Sequence, residues 1–169
     1  MIIRILGAVL LITGCGSFGF LMGIHYRKEI QMLRLLLTSL QEMEWELKYH
    51  LSPLSVLCGI GANASKGVLR EVFCELQYQL ESGMCSEISG CMNGIIQKND
   101  ISFRCRKCLK ELGRSLGRYD LEGQLQGLAS VYDQAKTYLE ELDMHRAERV
   151  RSYQTLALCA GTALAILLV

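Results

Sequence analysis

The sequence predicts an all-α protein: an elongated helical bundle or antiparallel coiled-coil hairpin, flanked by an N-terminal and a C-terminal transmembrane helix. Three observations carry this expectation. One Pro in 169 residues leaves nearly the whole chain free to be helical. Half of the residues are apolar although 21% are charged, and the mean hydropathy of +0.22 requires apolar residues to be gathered in particular stretches, which are the two ends. Between the ends, apolar residues recur at three- and four-residue intervals, the period of an amphipathic helix.

Ile5 to Ile24 is a run of 20 uncharged residues, which as a helix reaches about 30 Å, the thickness of a bilayer core. Leu156 to Val169 is a second uncharged run of 14 residues, about 21 Å as a helix unless Tyr153, Gln154 and Thr155 extend it. Arg4 is the one cation outside the pair of runs. Arg27, Lys28 and Arg34 follow the first, and Arg146, Arg149 and Arg151 precede the second, so the positive-inside bias places the middle in the cytoplasm and both termini on the far side. The domains are therefore 1–24, an N-terminal transmembrane helix; 25–152, a cytoplasmic helical domain; and 153–169, a C-terminal transmembrane helix.

Ile12-Thr13-Gly14-Cys15 also has the form of a lipobox, at which a lipoprotein is cleaved and acylated on Cys15. The apolar run continues for nine residues beyond Cys15, which favours the membrane span over a signal peptide. Cys15, Gly19 and Gly23 in the first run, and Ala157, Gly161 and Ala165 in the second, form ladders of small residues at four-residue spacing. Such ladders let helix backbones approach closely in lipid, either between these two spans or against another membrane protein.

All 17 acidic residues, and every basic one except Arg4, lie in the middle of the chain, which is evenly mixed and without linker or repeat. From Arg27 to His50, Leu33, Leu36, Leu37, Leu40, Met43 and Leu47 mark one apolar stripe. Ser52-Pro53 breaks that helix and starts a short one through Leu54, Leu57 and Ile60, which is expected to stop at Gly59 to Gly61. Ser65 is the expected N-cap of a helix carrying Val68, Leu69, Val72, Phe73, Leu76 and Leu80 and ending near Gly83. A weaker helix over Glu87 to Gln97 follows, then Asn99-Asp100 as the expected turn and N-cap of a basic helix from Ile101 to Leu116. Leu121, Leu125, Leu128, Tyr132, Ala135, Leu139 and Leu142 then alternate spacings of four and three, a coiled-coil seam on a long helix from Asp120 to Ser152. The two long helices are expected to pair antiparallel, with the short helices covering the distal end.

The formal net charge of +1 gives no reason to expect nucleic-acid binding. Cys105 and Cys108 form a C-x-x-C pair, but within a helix pattern and without a second pair, while His50 and His145 stand apart; no metal is expected. Thiols rather than disulfides are the default in a reducing cytoplasm, for Cys58, Cys74, Cys85 and Cys91 as well. There is no phosphate-binding loop, no H-E-x-x-H and no G-x-S-x-G. Glu42, Glu44 and Glu46 alternate and so spread around a helix as a solvated face. His25 sits at the edge of the first run. The chain reads as a non-enzyme without cofactor. The basic residues Arg104, Arg106, Lys107, Lys110 and Arg114 read as a solvated face, the alternative being a docking surface for anionic lipid or an acidic partner, whereas Leu112 to Gln124 combines glycines with polar side chains at a helix–helix joint, where loops commonly carry recognition.

At that joint, Leu116-Gly117-Arg118-Tyr119-Asp120, followed by Gln124, resembles the L-G-x-x-D-x-x-x-Q element of the stage III sporulation protein AB family of endospore-forming bacteria. The resemblance runs through the chain: Leu6-Gly7-Ala8 at the opening, the Leu-rich helix, Pro53-Leu54 after it, and the terminal apolar helix. Tyr119 and the high Cys content depart from the family pattern. The resemblance implies a membrane component of the channel assembled between mother cell and forespore, similar to the inner-membrane platform proteins of type II secretion systems and type IV pili. It implies residence in the outer forespore membrane, with the helical domain facing the mother-cell cytoplasm. The implied partners are membrane lipid, a cytoplasmic secretion-type ATPase (the stage III sporulation protein AA) and other membrane proteins of the same operon.

The expected contact residues are Leu116, Gly117, Asp120 and Gln124, with Gly117 forming the turn and Asp120 capping the next helix; the same residues also have ordinary structural reasons to be there. Two other classes compete with the docking platform: a dimeric signalling module built on the coiled coil, and an acylated lipoprotein with an exported domain.

Overall fold

The structure, a computed structural model, describes residues 27–117 and 120–168, with side chains described through Met144 and at Cys159. Six helices and no strand occur among the described residues: α1 (27–50), α2 (Leu54–Ala64), α3 (Val68–Glu81), α4 (Ile88–Lys98), α5 (Phe103–Ser115) and α6 (Leu121–Leu168). The chain divides into two compact units, Gln31–Glu140 and Met1–Ile30 with Glu141–Val169. In the second of these Ile30 and Leu142 are buried. The expected N-terminal span lies outside the described residues. The apolar C-terminal run is helical as the last part of α6, yet among the described residues no helix is long and apolar enough to cross a membrane.

Within Gln31–Glu140, the stripe on α1 is as the spacing predicts: Leu33, Leu36, Leu40, Met43 and Leu47 are all buried. Leu37 lies at the rim, and the fully buried side chain next to Leu40 is Ser39. Its hydroxyl lies 2.9 Å from the Leu35 carbonyl one turn back and 3.1 Å from the Gly61 carbonyl on α2, so a polar group is satisfied inside the core. After α1 the chain turns through Leu51, in the left-handed region at φ 53°, and Pro53, whose carbonyl accepts the first amides of α2 from Val56 and Leu57.

Helix α2 does not stop at its glycines. It continues to Ala64 because Gly61 is a packing position, where an added Cβ would lie 3.0 Å from the Met43 sulfur and 3.3 Å from the Phe73 ring. Ser65 does not cap α3. Its hydroxyl donates back to the Ala62 carbonyl, and the N-cap is Gly67 at φ 60°. Likewise the N-cap of α5 is Ser102 rather than the Asn99-Asp100 pair, the Asn99 amide being used on the Ile95 carbonyl that closes α4.

The close contacts fix the direction of each helix. Gly59 meets Gln77 and Gly61 meets Phe73, so α2 and α3 are antiparallel. Gly113 meets Met92 and Ser89, so α4 and α5 are antiparallel. Gly127 meets Ser115, and Arg104 lies 5.9 Å from the Tyr138 ring, so α5 and α6 are antiparallel. The turn after α5 touches the first residues of α2 and α4, Leu54 and Ile88. Hence α2, α4 and α6 start at one end of the unit, and α1, α3 and α5 run towards it.

The buried line on α6 is Leu128, Val131 and Ala135. Val131 takes the place that the seam gave to Tyr132, because Tyr132 sits at the edge, where its hydroxyl accepts a hydrogen bond from the Gln41 amide of α1 at 3.2 Å. Leu121 is exposed, and Leu125 and Leu139 are half-buried.

Where two helix backbones meet at a glycine, a branched side chain must push them apart. At Gly127 the obstacle is the Ser115 Cβ, with the Ser115 Cα 3.6 Å away. Gly127→Val is expected to destabilise the protein by about 1–3 kcal/mol, whereas Gly94→Ala, in open space on α4, should stabilise it by about 0.5–1 kcal/mol. Urea unfolding of the full chain in mild detergent reads both signs.

Candidate functional site

The joint between α5 and α6 is built from the residues that the sequence singles out. Leu116 ends α5, its amide donating to the Leu112 carbonyl at 3.0 Å, and its side chain is buried in the core. Gly117 follows at φ +75°, and a Cβ there would also run into the Ile88 methyl and lie 3.6 Å from Leu54. Arg118 and Tyr119 lie outside the described residues. Asp120 then caps α6: its carboxylate accepts the Gly123 amide at 3.1 Å, and its carbonyl accepts the Gln124 amide at 3.0 Å. Gly117 is thus the turn former and Asp120 the N-cap. Of the four residues, Gly117 and Asp120 are exposed, Gln124 is half-buried and Leu116 is internal.

Around this joint the structure gathers residues that periodicity did not select. The turns at the same end expose Leu51 after α1, Met84 between α3 and α4, and Leu121 at the start of α6, with 64%, 69% and 41% of their surfaces accessible. Val56 on the first turn of α2 is also exposed. Their signal in the sequence is an apolar residue inside a polar turn, as in His50-Leu51-Ser52 and Gly83-Met84-Cys85. Beside the joint, a groove between α5 and α6 is lined by small and polar side chains, among them Ser115, Gly123, Gln126, Gly127 and Ser130.

The last turns of α1 hold a further cluster near the same end. Trp45 is exposed, its ring 5.4 Å from Tyr49 and 5.1 Å from His50. His50 pairs with its own helix: its Nδ1 lies 3.0 Å from the Glu46 carboxylate. Ser52 donates to the other Glu46 oxygen at 2.6 Å, and chiefly this bond, helped by His50, holds the Glu46 carboxyl below its ordinary value of 4.5.

The cysteines correct one expectation. Cys85 and Cys91 are joined in a disulfide rather than left as thiols: the turn before α4 folds back on its first turn and brings the two Cα atoms to 6.0 Å, within bridging range. The ring so closed contains Ile88, the residue that meets Gly117. Cys58, Cys105 and Cys108 are buried thiols, and burial pushes Cys58 up to about 12 and Cys108 up to about 11. At such values Cys58 and Cys108 stay neutral and serve as packing groups. Among the described residues no group of three or more His, Cys, Asp or Glu is placed to hold a metal ion. The small-residue ladder Cys15, Gly19 and Gly23 lies outside the described residues. Ala157, Gly161 and Ala165 fall on α6, and their packing lies outside them too.

Gly117→Ala forces a side chain into the left-handed region and is expected to cost about 1–2 kcal/mol. Asp120→Ala should cost about 1 kcal/mol and Asp120→Asn only a fraction of that, since Asn caps as well as Asp; thermal melts rank the three. The lowered Glu46 value means that its ionised form stabilises the fold above pH 4.5, and that this contribution is lost as the pH falls through the lower folded value. Ser52→Ala should move the Glu46 carboxyl upwards in an NMR titration and shift the acid limb of unfolding to higher pH.

Comparison with known proteins bears on the whole of this architecture. A solved structure described as stage III sporulation protein AB superposes with a TM-score of 0.61, covering 72% of this chain and 98% of its own at 18% identity, which shows a shared fold. No curated protein matches the chain. The family model for stage III sporulation protein AB matches residues 4–169, and the chain belongs to that family of sporulation proteins.

Proposed function

We propose that this sporulation protein is a membrane-held, non-enzymatic assembly component of the channel complex between mother cell and forespore. In this reading the Gly117 end of its helical unit docks a cytoplasmic secretion-type ATPase, the stage III sporulation protein AA. The observation that carries the reading is that three turns at the same end as the Asp120 cap expose Leu51, Met84 and Leu121. Turn residues are ordinarily polar, and exposed apolar side chains grouped with a fixed carboxylate form the kind of surface that a partner covers.

The apolar runs Ile5–Ile24 and Leu156–Val169 supply the anchors in the outer forespore membrane. Residues 25–152 then face the mother-cell cytoplasm, and the ladders of small residues pack the anchors against each other or against another membrane protein of the operon. The chain's role is mechanical. α1 ends at the docking site and α6 begins there, so force applied to the turns is carried along both long helices.

The test is co-purification of the full chain with the ATPase. Met84→Ser, Leu121→Ser and Asp120→Asn are expected to weaken binding at least tenfold while helicity stays unchanged and melting shifts by no more than the small cap loss of Asp120→Asn. Lys66→Ser, an exposed residue at the opposite end of the unit, should leave it intact. Undiminished binding by all three variants would sink the reading.

A further inference from the structure

The outer faces of α3 and α5 carry opposite charge at matching spacing. On α5, Phe103, Lys107, Lys110 and Arg114 are all exposed and fall on one line at intervals of four, three and four. Lys107 lies 4.7 Å from the centre of the Phe103 ring, and the one acidic residue of the helix, Glu111, is taken by Arg114 at 3.2 Å. On α3, Glu71, Glu75, Tyr78 and the C-cap residue Ser82 are exposed at the same intervals, with Glu81 beside them. Arg70 is the one cation of that helix. The inward faces are occupied by the core, through Val72, Phe73 and Leu76 on α3 and Cys108, Leu109 and Leu112 on α5.

Both faces stay open in a single chain, so neither neutralises the other there. Both helices also run towards the Gly117 end. A second copy standing beside the first in the same sense therefore lays its α3 parallel along α5 of its neighbour. Glu75 then opposes Lys107, the Tyr78 ring lies under Lys110, Glu81 and Ser82 reach Arg114, and Glu71 meets Phe103. Salt bridges and a cation–π contact across such a face set register and orientation.

We infer that this protein associates with itself head to tail, α3 of one copy on α5 of the next. An anionic lipid surface or an acidic partner protein would use the α5 face and leave the matched face of α3 unexplained; a second copy uses both. Because the two faces differ, each contact leaves one of each kind unfilled, and the assembly either grows or closes into a ring.

The test uses the full chain in mild detergent, followed by sedimentation. The wild type is expected to form oligomers that weaken when salt is raised from about 0.1 M to 1 M, as the screening length falls from about 10 Å to 3 Å. Lys107→Gln with Lys110→Gln, and separately Glu71→Gln with Glu75→Gln, should each weaken association at least tenfold with helicity unchanged. A mixture of the two variants should stop at a dimer, since each brings the one face that the other lacks. Cys74, exposed on the acidic face, should cross-link between copies through a short bismaleimide to Phe103→Cys and not to Arg114→Cys, and Cys74→Ser should remove the product. A monomeric wild type, including one that binds anionic vesicles through Lys107 and Lys110, overturns the inference. So do variants that associate like the wild type, a mixture that stays monomeric, or cross-linking to Arg114→Cys in place of Phe103→Cys.

Discussion

The absence of a side chain at Gly117 is the constraint on which the described architecture turns. At φ +75° Gly117 takes a left-handed turn after α5, and the bare Cα lets it lie directly on Ile88 and Leu54. One short turn thereby sets the end of α5, the start of α4, the start of α2 and the entry into α6. Ile88 itself lies within the loop closed by the Cys85–Cys91 disulfide. Glycines at 61, 113 and 127 repeat the principle between helix pairs, where a missing Cβ decides how near two backbones come.

Much of this was legible in the residues. Helix was legible nearly everywhere because Pro occurs once and apolar residues keep a three-and-four rhythm. The break at Ser52-Pro53, the turn at Gly117 and the cap at Asp120 were legible because each depends on one residue's own backbone chemistry. What failed depended on three-dimensional neighbours that spacing alone does not select. Gly61 reads as a stop signal until Met43 and Phe73 are seen packed against it, and Ser65 reads as a cap until its hydroxyl is found on Ala62. Tyr132 fits the seam by spacing, yet its hydroxyl needs a partner at the rim and leaves the buried place to Val131. The Cys85–Cys91 bridge followed from the path of a loop, which periodicity does not encode. The candidate site was half legible: its turn and its cap stood in a recognisable element, whereas Leu51, Met84 and Leu121 come together only through the topology.

Polar chemistry in this unit is used for placement. The Ser39 hydroxyl joins α1 to α2 inside the core, and the Asp120 carboxylate starts α6. Ser52 and His50 together fasten the Glu46 carboxylate at the exit from α1. The buried Cys58 and Cys108 thiols are held neutral by their surroundings and fill space as small apolar groups do. Such an arrangement offers surfaces and rigid ends, and the family membership gives those surfaces a setting in sporulation.

The hydrogen bond from Gln41 to Tyr132 joins residues 91 positions apart, whereas α2 to α5 each pack on the helix next to them in the chain. On a ribosome adding about 5–20 residues per second, roughly 5–18 seconds separate the emergence of these two partners. The intervening helices form local hairpins as they appear, since their contacts close short loops. The face of α1 beside Gln41 is made early and meets α6 late. The chain is therefore most prone to misassociation just before α6 arrives, while that face still lacks its partner.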